Sequence, residues 1–160
     1  MSTPTNWQWR AGPVTGEVVV FDLDGVLSDA TGRQHLLTSP FRDWRAFFLA
    51  AGEDPVIEEV GVLLSTLDPK YPIVLLTARP MLIQRQTLEW LDRNLLRWDL
   101  LVMRDVGDYD WAREFKERTV GELRDADIHP VLAFEDDRRN VEMFHENDVP
   151  CVYIHSGYYD

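Results

Sequence analysis

The sequence predicts a three-layer α/β/α sandwich built around a parallel sheet, and three observations carry that expectation. Short, continuous apolar runs recur at residues 18–21, 73–76, 100–102, 131–134 and 152–154. Runs of this length, bounded by polar or turn residues, suit strands buried on both faces. Segments with helical periodicity separate them, and strand–helix alternation argues for parallel strands joined by right-handed crossovers. Acids, a hydroxyl residue and an arginine follow the runs, as expected when ligands bind beyond the carboxyl ends of an open sheet.

The elements follow in order. Residues 1–16 hold Pro4, Gly12, Pro13 and Gly16 and read as an irregular lead-in, with Trp7 and Trp9 packed on the body. A short helix over 42–51 stops at Gly52. The next, over 55–67, takes Asp54 as N-cap and Pro55 in the first helical position, where a missing N–H costs nothing. Over 81–95, Ile83, Thr87, Trp90 and Leu91 form one stripe; Ala112, Phe115, Thr119 and Leu123 form the next. A last helix over 139–146 ends at Asn147. No repeat or linker interrupts, so 17–160 is expected to be one domain.

Composition narrows the function. With 45% hydrophobic and 28% charged residues, 160 residues can bury a core without staples, which excludes a largely disordered chain. The single cysteine, Cys151, forms no internal disulfide and implies neither an oxidising compartment nor a thiolate cluster. No run approaches a membrane span and the first ten residues are polar, so a cytoplasmic protein without membrane contact is expected. A net charge of −12 repels polyanions and argues against gripping long duplex nucleic acid. A small anion or a nucleic-acid end remains within reach if a metal and a few arginines supply local positive charge.

The residues after the runs converge on chemistry. The first run gives Asp22-Leu23-Asp24-Gly25, the second Thr77-Ala78-Arg79 and the fourth Glu135-Asp136-Asp137-Arg138. Several carboxylates at one edge repel one another unless a hard divalent cation joins them, and sparse oxygen ligands with open positions suit Mg²⁺. Gly25, lacking a Cβ, lets the chain turn so that Asp24 returns to the pocket that Asp22 faces. One carboxylate can then act as nucleophile while the other handles protons.

These stretches, Phe21-Asp22-Leu23-Asp24-Gly25-Val26-Leu27, Leu75-Leu76-Thr77-Ala78-Arg79, a lysine, and Ala133-Phe134-Glu135-Asp136-Asp137, resemble the four ordered motifs of the haloacid-dehalogenase-like phosphatase superfamily over about residues 17–155. The resemblance implies a parallel Rossmann-like core with a minimal or absent cap. It implies Asp22 as nucleophile and Mg²⁺ ligand, and Asp24 as general acid and base with its carbonyl on the metal. Thr77 would bond the phosphoryl group, Lys116 would neutralise charge, and Asp136 would complete the metal site with Glu135 or Asp137 in support. Val26 stands where many members have threonine. Gly32-Arg33, the Thr77-Ala78-Arg79 turn and the Glu135–Arg138 run are further similar to the 3′-phosphatase domain of bacteriophage polynucleotide kinase–phosphatases. In that group Arg33 and Arg79 would contact the substrate's phosphate end, with Gly25 and Ala78 beside it.

No phosphate-binding Gly-x-x-x-x-Gly-Lys-Ser/Thr loop occurs, so only 3′-phosphate removal carries over, and a kinase or ligase working with it would be a separate partner. The 52 residues between Asp24 and Thr77 leave room for a small lid only, which favours a large substrate such as an oligonucleotide end. The alternatives are a nucleotidase or small-molecule phosphatase, which the acidic surface favours, and a phospho-acceptor signalling domain. In the latter the acceptor aspartate ends a middle strand apart from the acid pair, and Asp-x-Asp-Gly has no place. Tyr109, Trp111, Tyr158 and Tyr159 could stack on bases, with ordinary packing the preferred reading. His35, His129, His145 and His155 show no metal-ligand spacing and read as structural.

Overall fold

The computed structural model describes residues 2–38 and 40–159; Met1 and Asp160, the outer limits of the two expected segments, lie outside the described residues. Six strands form one sheet: β1 (Trp7–Trp9), β2 (Gly16–Phe21), β3 (Ile73–Pro80), β4 (Leu100–Arg104), β5 (Ile128–Glu135) and β6 (Cys151–Tyr153). Their order is β1-β4-β3-β2-β5-β6, parallel except where β1 runs antiparallel against β4. The helices are α1 (His35–Thr38), α2 (Trp44–Leu49), α3 (Glu58–Thr66), α4 (Gln84–Arg93), α5 (Ala112–Asp125) and α6 (Arg138–Glu146).

Side-chain alternation along the strands builds two cores. Val19, Phe21, Ile73, Leu75, Leu101 and Met103 face α3 and α4, where Val60, Leu64, Trp90 and Leu91 meet them. Val18, Val20, Val74, Leu76, Leu100 and Val102 face α5 and α6, against Phe115, Val120, Leu123, Met143 and Phe144. Each such aliphatic or aromatic side chain stabilises the fold by about 1.5–3 kcal/mol on burial, which explains why the strands read as unbroken apolar runs. The three-layer expectation holds.

Four local expectations change. Trp7–Trp9 form an edge strand, pairing Trp7 with Val102 and Trp9 with Leu100, where the sequence suggested irregular chain. The alternation that puts Trp7 into the α5–α6 core also leaves a free backbone edge for β4 to bond. The expected 55–67 helix begins later, at Glu58, because Asp54 turns its carboxylate inward rather than capping. The expected 42–51 helix spans Trp44–Leu49 and continues as a 3₁₀ turn, Ala50–Glu53. The 81–95 segment splits into a 3₁₀ turn, Met81–Ile83, and α4. No helix is long and apolar enough to cross a membrane among the described residues.

Candidate active site

The site lies at the carboxyl ends of the three central strands. β2 delivers Asp22, β3 delivers Thr77 and Arg79, and β5 delivers Glu135 and Asp136. After Asp22 the chain reverses through a tight turn closed by Gly25 N–H to Ser28 O (2.9 Å) and Val26 N–H to Leu23 O (3.0 Å). Gly25 has φ +83°, in the left-handed region. A Cβ there would also lie 2.1 Å from Asp136 Oδ2, so glycine is needed for the two carboxylate-bearing segments to approach.

On the α5 face, Lys116 is buried and its Nζ lies 2.7 Å from Glu135 Oε2 and 3.2 Å from Asp22 Oδ1. Glu135 Oε1 accepts from the N–H groups of Asp136 (3.0 Å) and Asp137 (3.3 Å). Asp136 Oδ2 accepts from the Ser156 hydroxyl at 2.6 Å, while its Oδ1 is buried without a partner. Asp22, Glu135 and Asp136 offer oxygens within 4.8 Å of one another. The electrostatics match this crowding. Burial and the Glu135 carboxylate push Asp136 up to about 7 and raise Asp22 well above the usual range. Burial works against the charged form of Glu135 too, yet Lys116 outweighs it and holds Glu135 low. Lys116, opposed by burial, is held charged by Asp22 and Glu135.

This donor set suits a hard divalent cation. Asp22 and Asp136 carry raised proton affinity, and one oxygen of the clustered Asp136 carboxylate is buried without a hydrogen-bond partner. The three acids of the 135–137 run have different surroundings. Glu135 is committed to Lys116 and two N–H groups, and Asp137 caps α6 through Arg139 N–H (3.0 Å) and pairs with the Arg139 guanidinium. Asp136 is left facing the cluster.

Asp24 turns the other way. Its Oδ1 accepts from Arg33 Nη2 (2.5 Å) and Arg79 Nη2 (2.7 Å), and its side chain is not among the clustered acids. Burial would raise this carboxyl, but the Arg79 and Arg33 guanidiniums hold it below the ordinary carboxylate range. The two arginines expected at the substrate's phosphate end lie here beside Asp24. Both are buried, and their donors go to protein acceptors. Arg79 also bonds Ser28 Oγ (3.0 Å) and Thr87 Oγ1 (3.2 Å). Arg33 bonds Asp54, the Phe47 carbonyl and, by a guanidinium 4.3 Å from its centroid, the Phe47 ring. Thr77 is buried at the end of the apolar part of β3 and accepts from Arg79 N–H (3.1 Å), which aligns the turn that carries Ala78.

Three polar groups were missed by sequence reasoning. Asp54 is buried, accepts from Ser28 Oγ (2.6 Å) and Arg33, and offers its carbonyl to Trp90 Nε1 (2.7 Å). Ser28 and Ser156 complete the set. Ser156 was within reach of the strand-end rule, because it follows β6 at the same edge as the other site residues.

Comparison with known proteins follows this geometry. The description of the phosphatase domain of polynucleotide kinase PNKP matches residues 16–159. Comparison with curated proteins finds no match. Among solved structures, a chain of a Pnkp1/Rnl/Hen1 complex superposes with TM-score 0.72 at 23% identity, covering 98% of this chain and 51% of its own. A chain of the Pnkp1/Rnl/Hen1 RNA repair complex gives TM-score 0.75 at 23% identity, covering 97% of this chain and 48% of its own. The class C acid phosphatase from Bacillus anthracis gives 0.66 at 14% identity, covering 92% of this chain and 70% of its own. This chain thus spans about half the length of the two Pnkp1 chains, and at these identities the likeness speaks to the fold. With the family match covering nearly the whole chain, this protein belongs to the family of polynucleotide kinase PNKP phosphatase domains and is a phosphatase of the haloacid-dehalogenase-like fold.

Proposed function

We propose that this domain, over residues 17–160, removes 3′-phosphates from nucleic-acid ends through an aspartyl-phosphate on Asp22, with Mg²⁺ as cofactor. The observation that carries the reading is the split between the two aspartates of the Asp22-Leu23-Asp24-Gly25 turn. Asp22 faces Lys116 and Asp136, whereas Asp24 faces two guanidiniums. These surroundings suit the first to act as nucleophile and the second to carry protons beside it.

A carboxylate oxygen of Asp22 attacks phosphorus and the bond to the leaving oxygen breaks, with Asp24 giving that oxygen a proton. Water then attacks the aspartyl-phosphate, Asp24 takes the water's proton, and Asp22 and inorganic phosphate are released. Lys116 balances charge on Asp22 through both steps, and Thr77 bonds the phosphoryl oxygens. A Mg²⁺ ion held by Asp22 and Asp136 would neutralise the charge shared by nucleophile and phosphoryl group. The guanidiniums hold Asp24 ionised in the free domain. A phosphoryl dianion entering beside them competes for Arg33 and Arg79, loosening that hold and letting Asp24 carry its proton.

A nucleic-acid substrate is supported by the family match and by the shortness of α1 and α2, which build no large cap among the described residues. A nucleotidase is the second reading, favoured by the net charge of −12. A cytoplasmic setting and a separate kinase or ligase partner belong to the first reading; the similar Pnkp1 chains occur in complexes with Rnl and Hen1. The test is phosphate release from 3′- and 5′-phosphorylated oligonucleotides and from free nucleotides, with Mg²⁺, with excess Ca²⁺ and with a chelator. Preference for 3′-phosphorylated ends, loss in chelator and suppression by Ca²⁺, whose coordination is larger and looser, are expected. Preference for free nucleotides selects the nucleotidase.

A further inference from the structure

The cations that line the acid cluster are all committed to carboxylates. Lys116 serves Asp22 and Glu135, and Arg33 and Arg79 serve Asp24 and Asp54. A strand carrying further phosphates beyond the terminal one needs another cation, more so against a net charge of −12.

Arg104 is placed to supply it. It ends β4 on the face shared by Leu100 and Val102, the face that Asp22 and Lys116 also use. The pairings Phe21 with Leu75 and Leu76 with Val102 put Val102 level with Asp22. Arg104 therefore lies two strands across and two residues beyond, a Cα separation of about 12 Å from ordinary sheet spacings, which a short stretch of extended strand bridges. Its guanidinium sits 5.5 Å from the centroid of Phe115, the neighbour of Lys116 on α5.

Arg104 also lacks an anion. Its Nε is buried with no hydrogen-bond partner, and among the described residues it makes no ion pair within 4.0 Å. The acids nearest in charge terms, Asp108 and Asp110, are held by Arg118 at 2.6 and 2.9 Å. A half-buried cation without a partner costs free energy unless something binds it. Burial accordingly depresses the Arg104 guanidinium, against the pull of Asp108 and Asp110.

The loop that Arg104 opens ends in an exposed aromatic. Trp111 is 74% exposed and immediately precedes α5, so it stands about 7 Å along the helix axis from Lys116. An arginine and an indole flanking one loop are the pair that single-stranded nucleic acid uses, one for a phosphate and one for a base face.

We propose that Arg104 and Trp111 form a subsite for the single-stranded segment just upstream of the terminal phosphate, Arg104 pairing with a phosphodiester and Trp111 stacking on a base. The inference rests on the nucleic-acid reading above, and its test separates the two. Wild-type protein, Arg104→Ala, Arg104→Lys and Trp111→Ala are compared on a 3′-phosphorylated oligodeoxynucleotide, a nucleoside 3′-monophosphate and nitrophenyl phosphate, with thermal melts to confirm folding. Arg104→Ala should raise KM for the oligonucleotide about tenfold with kcat and both small substrates within about twofold, and should lower the salt slope of log kcat/KM by about one. Arg104→Lys should recover part of the loss. Trp111→Ala should raise the oligonucleotide KM about fivefold without changing the salt slope. Equal effects on all three substrates, or none on the oligonucleotide, overturn this subsite alone. Turnover of nitrophenyl phosphate with no release from any oligonucleotide overturns the nucleic-acid reading and the subsite together.

Discussion

Arg33 holds Asp54 more extensively than it holds Asp24. Its Nε lies 2.9 and 3.1 Å from the two Asp54 oxygens and its Nη2 2.7 Å from Asp54 Oδ2, while a single contact of Nη2 reaches Asp24. Asp54 therefore anchors the arginine, and the arginine positions Asp24, the proton carrier of the proposed reaction. Two carboxylates and two guanidiniums make a neutral buried set, the condition under which such charges are tolerated.

Asp54→Asn keeps the shape and removes the charge. It should lower stability by about 2 kcal/mol, since hydrogen bonds to charged groups are lost. It should also lower kcat on nucleoside 3′-phosphates roughly 10- to 100-fold through misplacement of Asp24. Nitrophenyl phosphate, whose leaving group needs little proton help, should keep most of its rate. Equal losses on both substrates would show that Asp54 is merely structural.

The two turn aspartates should separate kinetically. Asp22→Asn, which on the proposed mechanism removes nucleophile and metal ligand together, should leave every substrate inert. Asp24→Asn should release nitrophenolate in a burst and then stall, because the second step still needs a base, and a nucleoside phosphate should give no burst. Rapid-quench product release on both variants is the measurement. A burst from Asp22→Asn with a dead Asp24→Asn would reverse the roles.

The acid cluster should make the stability of the metal-free protein depend on pH. Burial and Glu135 raise Asp22, and the same causes bring Asp136 up to about 7. A carboxyl with a higher folded than unfolded pKa binds its proton more tightly in the native state. Stability therefore falls as pH rises from about 4 toward the folded value and is flat above it. Asp24 and Asp29 are shifted down, so their contribution disappears only in the more acidic range. Chelated protein should melt higher at about pH 5.5 than at about pH 8, and Mg²⁺ should raise Tm by roughly 2–4 °C more at the alkaline end. Asp136→Asn should flatten both trends; a Mg²⁺ effect that is larger at acid pH would contradict the cluster assignment.

Ser156 holds the Asp136 carboxylate by donating to Oδ2, while Oδ1 has no hydrogen-bond partner. Ser156→Ala should weaken Mg²⁺ activation about tenfold, as removal of such outer partners does, with kcat at saturating Mg²⁺ little changed. The Mg²⁺ concentration for half-maximal activity reads this directly.

The central strands were legible because burial on both faces leaves an unbroken apolar run. The acids were legible because strand ends are where an open sheet exposes polar groups. β1 escaped notice for the opposite reason: three residues with alternating tryptophans make no run, and their strand character comes from β4 across the fold. Asp54 beside Pro55 has the local signature of a helix N-cap, and only the partner 21 residues earlier, Arg33, shows its role. The same kind of long-range pairing, Arg33 and Arg79 with Asp24, has no local signature in the sequence.

β1 lies outside the region shared with the family, which starts at residue 16. A chain trimmed to that region would keep every residue of the acid cluster, yet it would bare the backbone of Leu100, Leu101 and Val102 along the sheet margin. A row of unpaired donors and acceptors flanked by aliphatic side chains is a template on which other chains add strands. The three-residue Trp7–Trp9 strand replaces that margin with a much shorter edge, so its removal should make the trimmed chain more prone to edge-to-edge association.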